Sequence, residues 1–170
     1  MQGARDTQRP AQAQQQYEQA LDHYEAAEQD PQLTDHGARQ FFKGEVLVAL
    51  GRTNEGIALM EAGLVVRPER PERWFSLAMA YDNLGQHDKA IATFQRLLDR
   101  QPTDPQTVKN LAIAYERALA WPSAIATWQR YRDLAPDEPG GYRDMAYALR
   151  RNGQWTEAKQ WYEQALALAR

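Results

Sequence analysis

The pattern of hydrophobic and polar positions repeats at helical spacing through most of the chain. One apolar stripe consists of Trp74, Leu77, Ala78 and Tyr81. Steps of three and four residues place these side chains on one face of an α-helix. Gly85 follows, where a helix can end in the left-handed conformation without a clash from a Cβ atom. The pattern therefore predicts a helix that ends at a tight turn.

A second apolar stripe follows this turn. It consists of Ala90, Ile91, Phe94, Leu97 and Leu98. Pro102 ends the stripe, because proline cannot continue a helix. The two stripes predict a hairpin of two antiparallel helices. One such hairpin cannot bury both stripes alone, so neighbouring hairpins must stack.

The proline that ends the second helix recurs every 34 residues, at Pro68, Pro102 and Pro136. Two columns at this interval hold only small residues: Gly44, Ala78, Ala112 and Ala146, and Gly56, Ala90, Ala124 and Ala158. Two others hold large ones: Leu47, Tyr81, Tyr115 and Leu149, and Met60, Phe94, Trp128 and Tyr162. Small residues let backbones approach closely, and large residues fill the remaining space. A fixed period of this length indicates a stacked repeat.

These residues resemble the tetratricopeptide repeat, a helix–turn–helix unit of 34 residues. The resemblance implies an all-α fold, a right-handed superhelical α-solenoid of stacked antiparallel helix hairpins. Four copies are predicted, at 37–70, 71–104, 105–138 and 139–170. The third copy has Leu119 where glycine is usual and Pro122 at the start of its second helix. We therefore expect the turn between its two helices to be reshaped.

The chain outside these copies is predicted from weaker signals. We expect residues 1–10 to form a disordered tail and 11–36 to form an N-terminal helix and loop that cap the first repeat. At the other end, Lys159 replaces the isoleucine that this column holds in the earlier copies. A charged residue suits an end face in water. Trp161, Leu166 and Leu168 remain apolar there, so they either pack inward or are covered by a partner.

Composition excludes several classes of function. There is no cysteine, which removes disulfides, thiolate zinc sites and thiol nucleophiles. A net charge of −3 argues against a nucleic-acid binder, and no apolar run reaches the ~18–20 residues of a membrane span. No catalytic or metal-binding motif is present. We therefore expect no enzyme activity and no cofactor or metal, in a soluble protein of the bacterial cytoplasm or periplasm.

The resemblance implies a concave groove lined by the first helix of each repeat. The candidate binding residues are Phe41, Phe75, Met79, Asn83, Lys109, Asn110, Arg117, Arg143, Tyr147, Arg150 and Arg151. Phe41, Phe75 and Met79 would form an apolar end, and the lysine and arginines would form a cationic end. Arginine recognises carboxylates through two parallel hydrogen bonds.

We therefore predict a non-enzymatic scaffold that binds a peptide or protein partner with an apolar and an acidic segment. One alternative is that the arginines only solvate this face and pair with Asp144 and Glu116. Another is head-to-tail self-association, because residues 11–36 contain six acidic residues and neither lysine nor arginine. A third is that the chain is the recognition arm of a larger enzyme.

Overall fold

The computed structural model describes residues 3–28, 35–66 and 68–169, with the side chains from residue 11 onward except that of residue 28. These ranges contain nine α-helices and no strand. The helices are α1 Gly3–Glu28, α2 His36–Ala49, α3 Thr53–Val66, α4 Pro71–Asn83, α5 His87–Arg100, α6 Pro105–Arg117, α7 Trp121–Leu134, α8 Pro139–Arg151 and α9 Trp155–Leu168. The predicted all-α class is confirmed.

The chain divides into two compact units, Met1–Ala80 and Tyr81–Arg170. In the first unit α1 packs on α2, and α2 packs on α3. In the second unit α5 packs on α6, α6 on α7, α7 on α8 and α8 on α9. In each of these pairs, two helices that follow one another in sequence are neighbours in space, as expected for stacked hairpins.

Glycines allow the close packing of α2 against α3 in the first unit. A Cβ atom added to Gly44 would lie 2.5 Å from the carbonyl oxygen of Gly56, and one added to Gly63 would lie 2.5 Å from that of Gly37. Real Cβ atoms do not reach such distances. Phe41 and Met60 fill the space beside these glycines and are each 1% exposed. The small-residue columns therefore mark where two backbones touch.

In the second unit the same columns hold alanine. Ala112, Ala124 and Ala146 are fully buried, and Phe94 and Trp128 complete the core between them. Burial of each large side chain contributes roughly 1.5–3 kcal/mol through the hydrophobic effect. The predicted alternation of small and large columns therefore describes the core of this unit.

The turn between α6 and α7 is not reshaped, so this expectation was wrong. Leu119 has a φ of 58°, in the same left-handed region as Gly85 at 79°. Both turns close with matching hydrogen bonds, since Ala120 N donates to Tyr115 O as Gln86 N donates to Tyr81 O, each at 2.9 Å. The chain accepts a strained leucine here rather than a different turn.

Helix α1 begins at Gly3, not near residue 11, so the backbone of residues 3–10 is helical and differs from the expected tail. Alanine, arginine and glutamine in this segment have high helix propensity. Residues 1 and 2 and most of the predicted loop, residues 29–34, lie outside the described part of the chain.

The last helix has an exposed outer face. Lys159 is exposed and pairs with Glu163 at 3.8 Å, as the end-face interpretation expects. Leu166 and Leu168 are 64% and 42% exposed, so they do not pack inward. Trp161 is half-buried against the ring of Tyr142, with centroids 5.7 Å apart.

Candidate functional site

The candidate groove residues lie on the first helix of each predicted hairpin and are divided between the two units. Phe41, Phe75 and Met79, on α2 and α4, belong to the first unit. Asn83, Lys109, Asn110, Arg117, Arg143, Tyr147, Arg150 and Arg151, at the end of α4 and on α6 and α8, belong to the second. The apolar set therefore lies in the first unit and the cationic set in the second.

The prediction that Phe41 lines the groove was wrong, because Phe41 is a core side chain. It is 1% exposed, whereas its neighbour Phe42 is 42% exposed. The two rings meet edge to face with centroids 6.2 Å apart, and the Arg73 guanidinium lies 5.4 Å from the Phe42 centroid. Phe42 is thus the aromatic residue that α2 presents at the surface, and Phe75 and Met79 on α4 are half-buried.

Arg117 is engaged in a structural ion pair. Its Nη1 donates to Oδ2 of Asp82, a carboxylate that is only 4% exposed. The other carboxylate oxygen, Oδ1, accepts from His87 Nδ1 at 2.8 Å. A buried carboxylate needs such partners, because burying an unpaired charge is unfavourable. Arg117 therefore has a role in stability that its position in the sequence does not reveal.

Arg143 also has a local partner. Its Nε donates to Oδ1 of Asp144 at 2.8 Å, on the surface of α8. The negative charge of Asp144 acts in turn on Glu116 of α6, which accepts a 2.7 Å hydrogen bond from Trp128 Nε1. Burial raises the pKa of the Glu116 carboxyl above its usual range, and Asp144 raises this pKa further, against the lowering effect of the Trp128 hydrogen bond. The alternative of local pairing therefore holds for Arg143.

Arg150 and Arg151 differ from these two arginines. The Arg151 guanidinium lies 5.0 Å from the centroid of the Trp121 ring, and the Arg150 guanidinium lies 5.5 Å from that of Tyr147. The two rings contact each other edge to face at 6.3 Å. Cation–π contact holds a guanidinium over a ring while its N–H edge stays available. We call these four residues the arginine–aromatic ladder.

No carboxylate lies within ion-pair distance of Arg150 or Arg151 among residues 11–27, 35–66 and 68–169. The same is true of Lys109 on α6 in that part of the chain. Asn110, next to it, donates through Nδ2 to Gln106 O at 2.8 Å, and Asn83 is exposed at the end of α4. The charge available to a ligand therefore resides on Lys109, Arg150 and Arg151.

Sequence analysis missed two residues of this surface, Leu119 and Trp121. Leu119 is 64% exposed in the α6–α7 turn, and Trp121 begins α7. A signal was present, because Leu119 departs from the glycine column, but we interpreted it as a change in the turn. Trp121 gave no signal, since its contact with Arg151 joins residues distant in sequence.

Within the described residues, no cluster of three or more histidine and acidic side chains could hold a metal ion. In that same part of the chain, no helix combines the length and the apolar character needed to cross a bilayer.

Family models of known proteins match two parts of the chain. One tetratricopeptide-repeat model matches residues 43–105, and a second one matches residues 139–170. The matched segments include the second half of α2, all of α3 to α5, and both helices of the last hairpin. No curated protein matches the chain in sequence.

Solved structures of MamA proteins have a similar fold. MamA AMB-1 matches with a TM-score of 0.77 at 21% identity, covering 91% of this chain and 90% of that one. MamA MSR-1 matches with a TM-score of 0.72 at 20% identity, covering 92% and 97%. A MamA structure from Desulfovibrio magneticus RS-1 matches with a TM-score of 0.79 at 16% identity, covering 95% and 94%. At these identities the likeness concerns the fold alone.

Proposed function

Since the chain belongs to the tetratricopeptide-repeat family, we propose that it is a non-enzymatic scaffold that binds a peptide or partner protein carrying an acidic segment and an apolar segment. Stacked helix hairpins present extended surfaces of the kind that bind other chains. The acidic segment binds the second unit. The first unit offers a separate apolar surface, formed by Phe42, Phe75 and Met79.

The observation that carries the proposal is the state of Arg150 and Arg151. Both are exposed and stacked on aromatic rings, and no described carboxylate neutralises them. A guanidinium fixed in this way loses little side-chain entropy when it binds, and its fork matches a carboxylate. Lys109 adds a third positive charge in the same unit.

The first unit supplies apolar contact area. Phe42 is exposed, and Phe75 and Met79 are half-buried on α4. Methionine adapts to different side chains, and phenylalanine offers a large contact area. These residues support an apolar anchor in the partner, and Phe42 takes the place that sequence analysis gave to Phe41.

Fluorescence anisotropy with a labelled ten-residue peptide tests the proposal. The peptide has an apolar half of leucine and alanine and an acidic half of glutamate, and its control has glutamine in place of glutamate. We expect the acidic peptide to bind and its affinity to fall with salt. The double variant Arg150→Ala/Arg151→Ala should bind at least about tenfold more weakly, a loss of about 1.4 kcal/mol.

A matched variant separates the site from the overall charge. Arg96→Ala/Arg100→Ala removes the same charge from exposed positions of α5, and it should retain the affinity of the unmodified chain. Equal affinity of both double variants, or equal binding of the glutamate and glutamine peptides, contradicts the proposal.

Self-association is a second candidate, favoured by the acidity of α1. Glu18 and Asp22 are exposed on this helix, and no lysine or arginine occurs in residues 11–36. Acidic and cationic surfaces on one chain permit head-to-tail contacts. Light scattering should then give a mass above the monomer that falls with salt and after Glu18→Lys/Asp22→Lys. A monomer at all salt concentrations leaves only the scaffold for other partners.

A further inference from the structure

We infer that the α6–α7 turn of the second unit carries a subsite for an aliphatic side chain followed closely by carboxylates in a bound peptide. The subsite consists of Leu119, Trp121, Tyr147, Arg150 and Arg151, and we call it the turn subsite. This inference rests on the proposed function, because it identifies the part of the surface that binds the acidic segment of the partner.

Leu119 combines a strained backbone conformation with an exposed side chain. Its φ of 58° lies in a region that non-glycine residues rarely adopt. Glycine occupies the corresponding place in three other turns, at Gly51, Gly85 and Gly153. The leucine gains little from the fold in return, because it is 64% exposed. Strain that packing does not offset is typical of residues held for an external contact.

Trp121 extends this apolar surface. It follows Leu119 after one residue and is half-buried. Its ring is in edge-to-face contact with Tyr147, and the Arg151 guanidinium lies 5.0 Å from its ring centroid. The tryptophan is therefore fixed on two sides. An aliphatic side chain of a peptide can pack between the Trp121 ring and Leu119, and binding does not have to order the tryptophan ring first.

Charge decides which kind of chain binds here. Arg150 and Arg151 have no carboxylate partner in the described part of the chain, so their N–H groups stay available to an anionic ligand. Because Arg151 stacks on Trp121, and an extended peptide advances about 3.3 Å per residue, the carboxylates follow the aliphatic side chain within about three residues. A net charge of −3 for the whole chain disfavours nucleic acid.

NMR titration of the full chain, labelled with 15N and at leucine methyl groups, tests the subsite. The main probe is the blocked peptide leucine–glutamate–aspartate–glutamate–glutamate. One control peptide replaces the acidic residues with their amides, another replaces leucine with alanine, and an oligouridylate of eight nucleotides serves as the nucleic acid. We expect the main probe to shift the Leu119 methyls and the Trp121 indole N–H, with each control peptide binding at least about fivefold more weakly.

A substitution removes the contact without removing the turn. Leu119→Gly places glycine where the other three turns already have it, so the urea midpoint should not fall. The main probe should bind this variant at least about fivefold more weakly. Leu168→Ala, at an exposed leucine of α9, is the control and should leave the affinity unchanged.

The possible failures can be told apart. Saturable shifts at Lys109 and Asn110 with none at Leu119 or Trp121 overturn the turn subsite and leave the proposed function standing. Unchanged affinity of Leu119→Gly also overturns the subsite alone. The absence of any saturable shift with acidic peptides overturns both, and stronger binding of the oligouridylate than of the main probe overturns the choice of occupant.

Discussion

Gly44 and Gly56 place the backbones of α2 and α3 in direct contact. A Cβ atom on Gly44 would lie 2.5 Å from the carbonyl oxygen of Gly56, and one on Gly56 would lie 2.5 Å from the carbonyl oxygen of Gly44. The corresponding columns hold alanine in the later repeats. The first hairpin is therefore built for a closer approach of its helices than an alanine at either position allows.

Gly44→Ala and Gly56→Ala should each destabilise the protein by about 1–3 kcal/mol, because the added methyl group meets backbone atoms that cannot move independently. Urea unfolding followed by circular dichroism measures this. Gly140→Ala is the control, since a Cβ there meets nothing within 4 Å and the residue lies in α8. It should stabilise the protein by about 0.5–1 kcal/mol. A loss at Gly140 equal to that at Gly44 contradicts this account.

Leu119→Gly should raise the free energy of unfolding by about 0.5–1 kcal/mol. Relief of the left-handed strain outweighs the greater conformational freedom that glycine gives to the unfolded chain. The reverse experiment is Gly153→Ala, at a φ of 84° with no atom within 4 Å of an added Cβ. This variant should lose about 1 kcal/mol from strain alone. Thermal unfolding that shifts in the same direction for both variants would show that φ is not the cause.

Arg117→Ala should destabilise the protein by about 1–3 kcal/mol, because it leaves the Asp82 carboxylate buried without its guanidinium partner. Chemical unfolding of Arg117→Ala, Asp82→Asn and the double variant forms a double-mutant cycle that isolates the pair. Arg143→Ala removes a surface pair with Asp144 and should change stability by less than about 1 kcal/mol. Equal effects of the two arginine substitutions would refute the structural role of Arg117.

Glu116→Gln should stabilise the protein at pH 7. The folded-state pKa of this carboxyl is raised, chiefly by burial, so its contribution to stability is fully present below the unfolded-state pKa of about 4.3 and is lost as pH rises through the folded-state pKa. The neutral amide avoids that loss and still accepts the Trp128 hydrogen bond through its oxygen. Urea unfolding from pH 3 to 7 should show the two proteins diverging as pH rises.

A second substitution controls for the removal of a negative charge. Glu163→Gln on the exposed surface of α9 has the same change in net charge, and its unfolding should follow the unmodified chain across this pH range. If the free energies of unfolding of Glu116→Gln and the unmodified chain differ by a constant amount from pH 3 to 7, the raised pKa of Glu116 is not the cause.

The 34-residue period was enough to predict the helix pairs, because it reflects local pattern and packing between neighbours in sequence. Helices α4, α6 and α8 begin at Pro71, Pro105 and Pro139, where sequence analysis begins the repeats. Small and large columns also identified core residues such as Ala112 and Trp128. Such features depend on periodicity, which a single sequence records.

The functional surface was predicted less well, because it depends on contacts between distant residues. The pairing of Arg117 with Asp82 joins residues from different helices. Composition alone could therefore not separate this arginine from Arg151, which has no carboxylate partner among the described residues. The exchange of Phe41 for Phe42 has another cause: the glycines of α2 and α3 set which side of α2 faces the core.

In the second unit each helix from α5 to α9 rests on the next one along the chain. Local unfolding of such an array begins at an end and proceeds helix by helix, because an end helix has a neighbour on one side only. The amide protons of α9, whose Leu166 and Leu168 face water, should therefore exchange with solvent before those of α7. Arg150 and Arg151 lie on α8, next to this end helix. A partner that binds them should therefore also stabilise the end of the array against local unfolding.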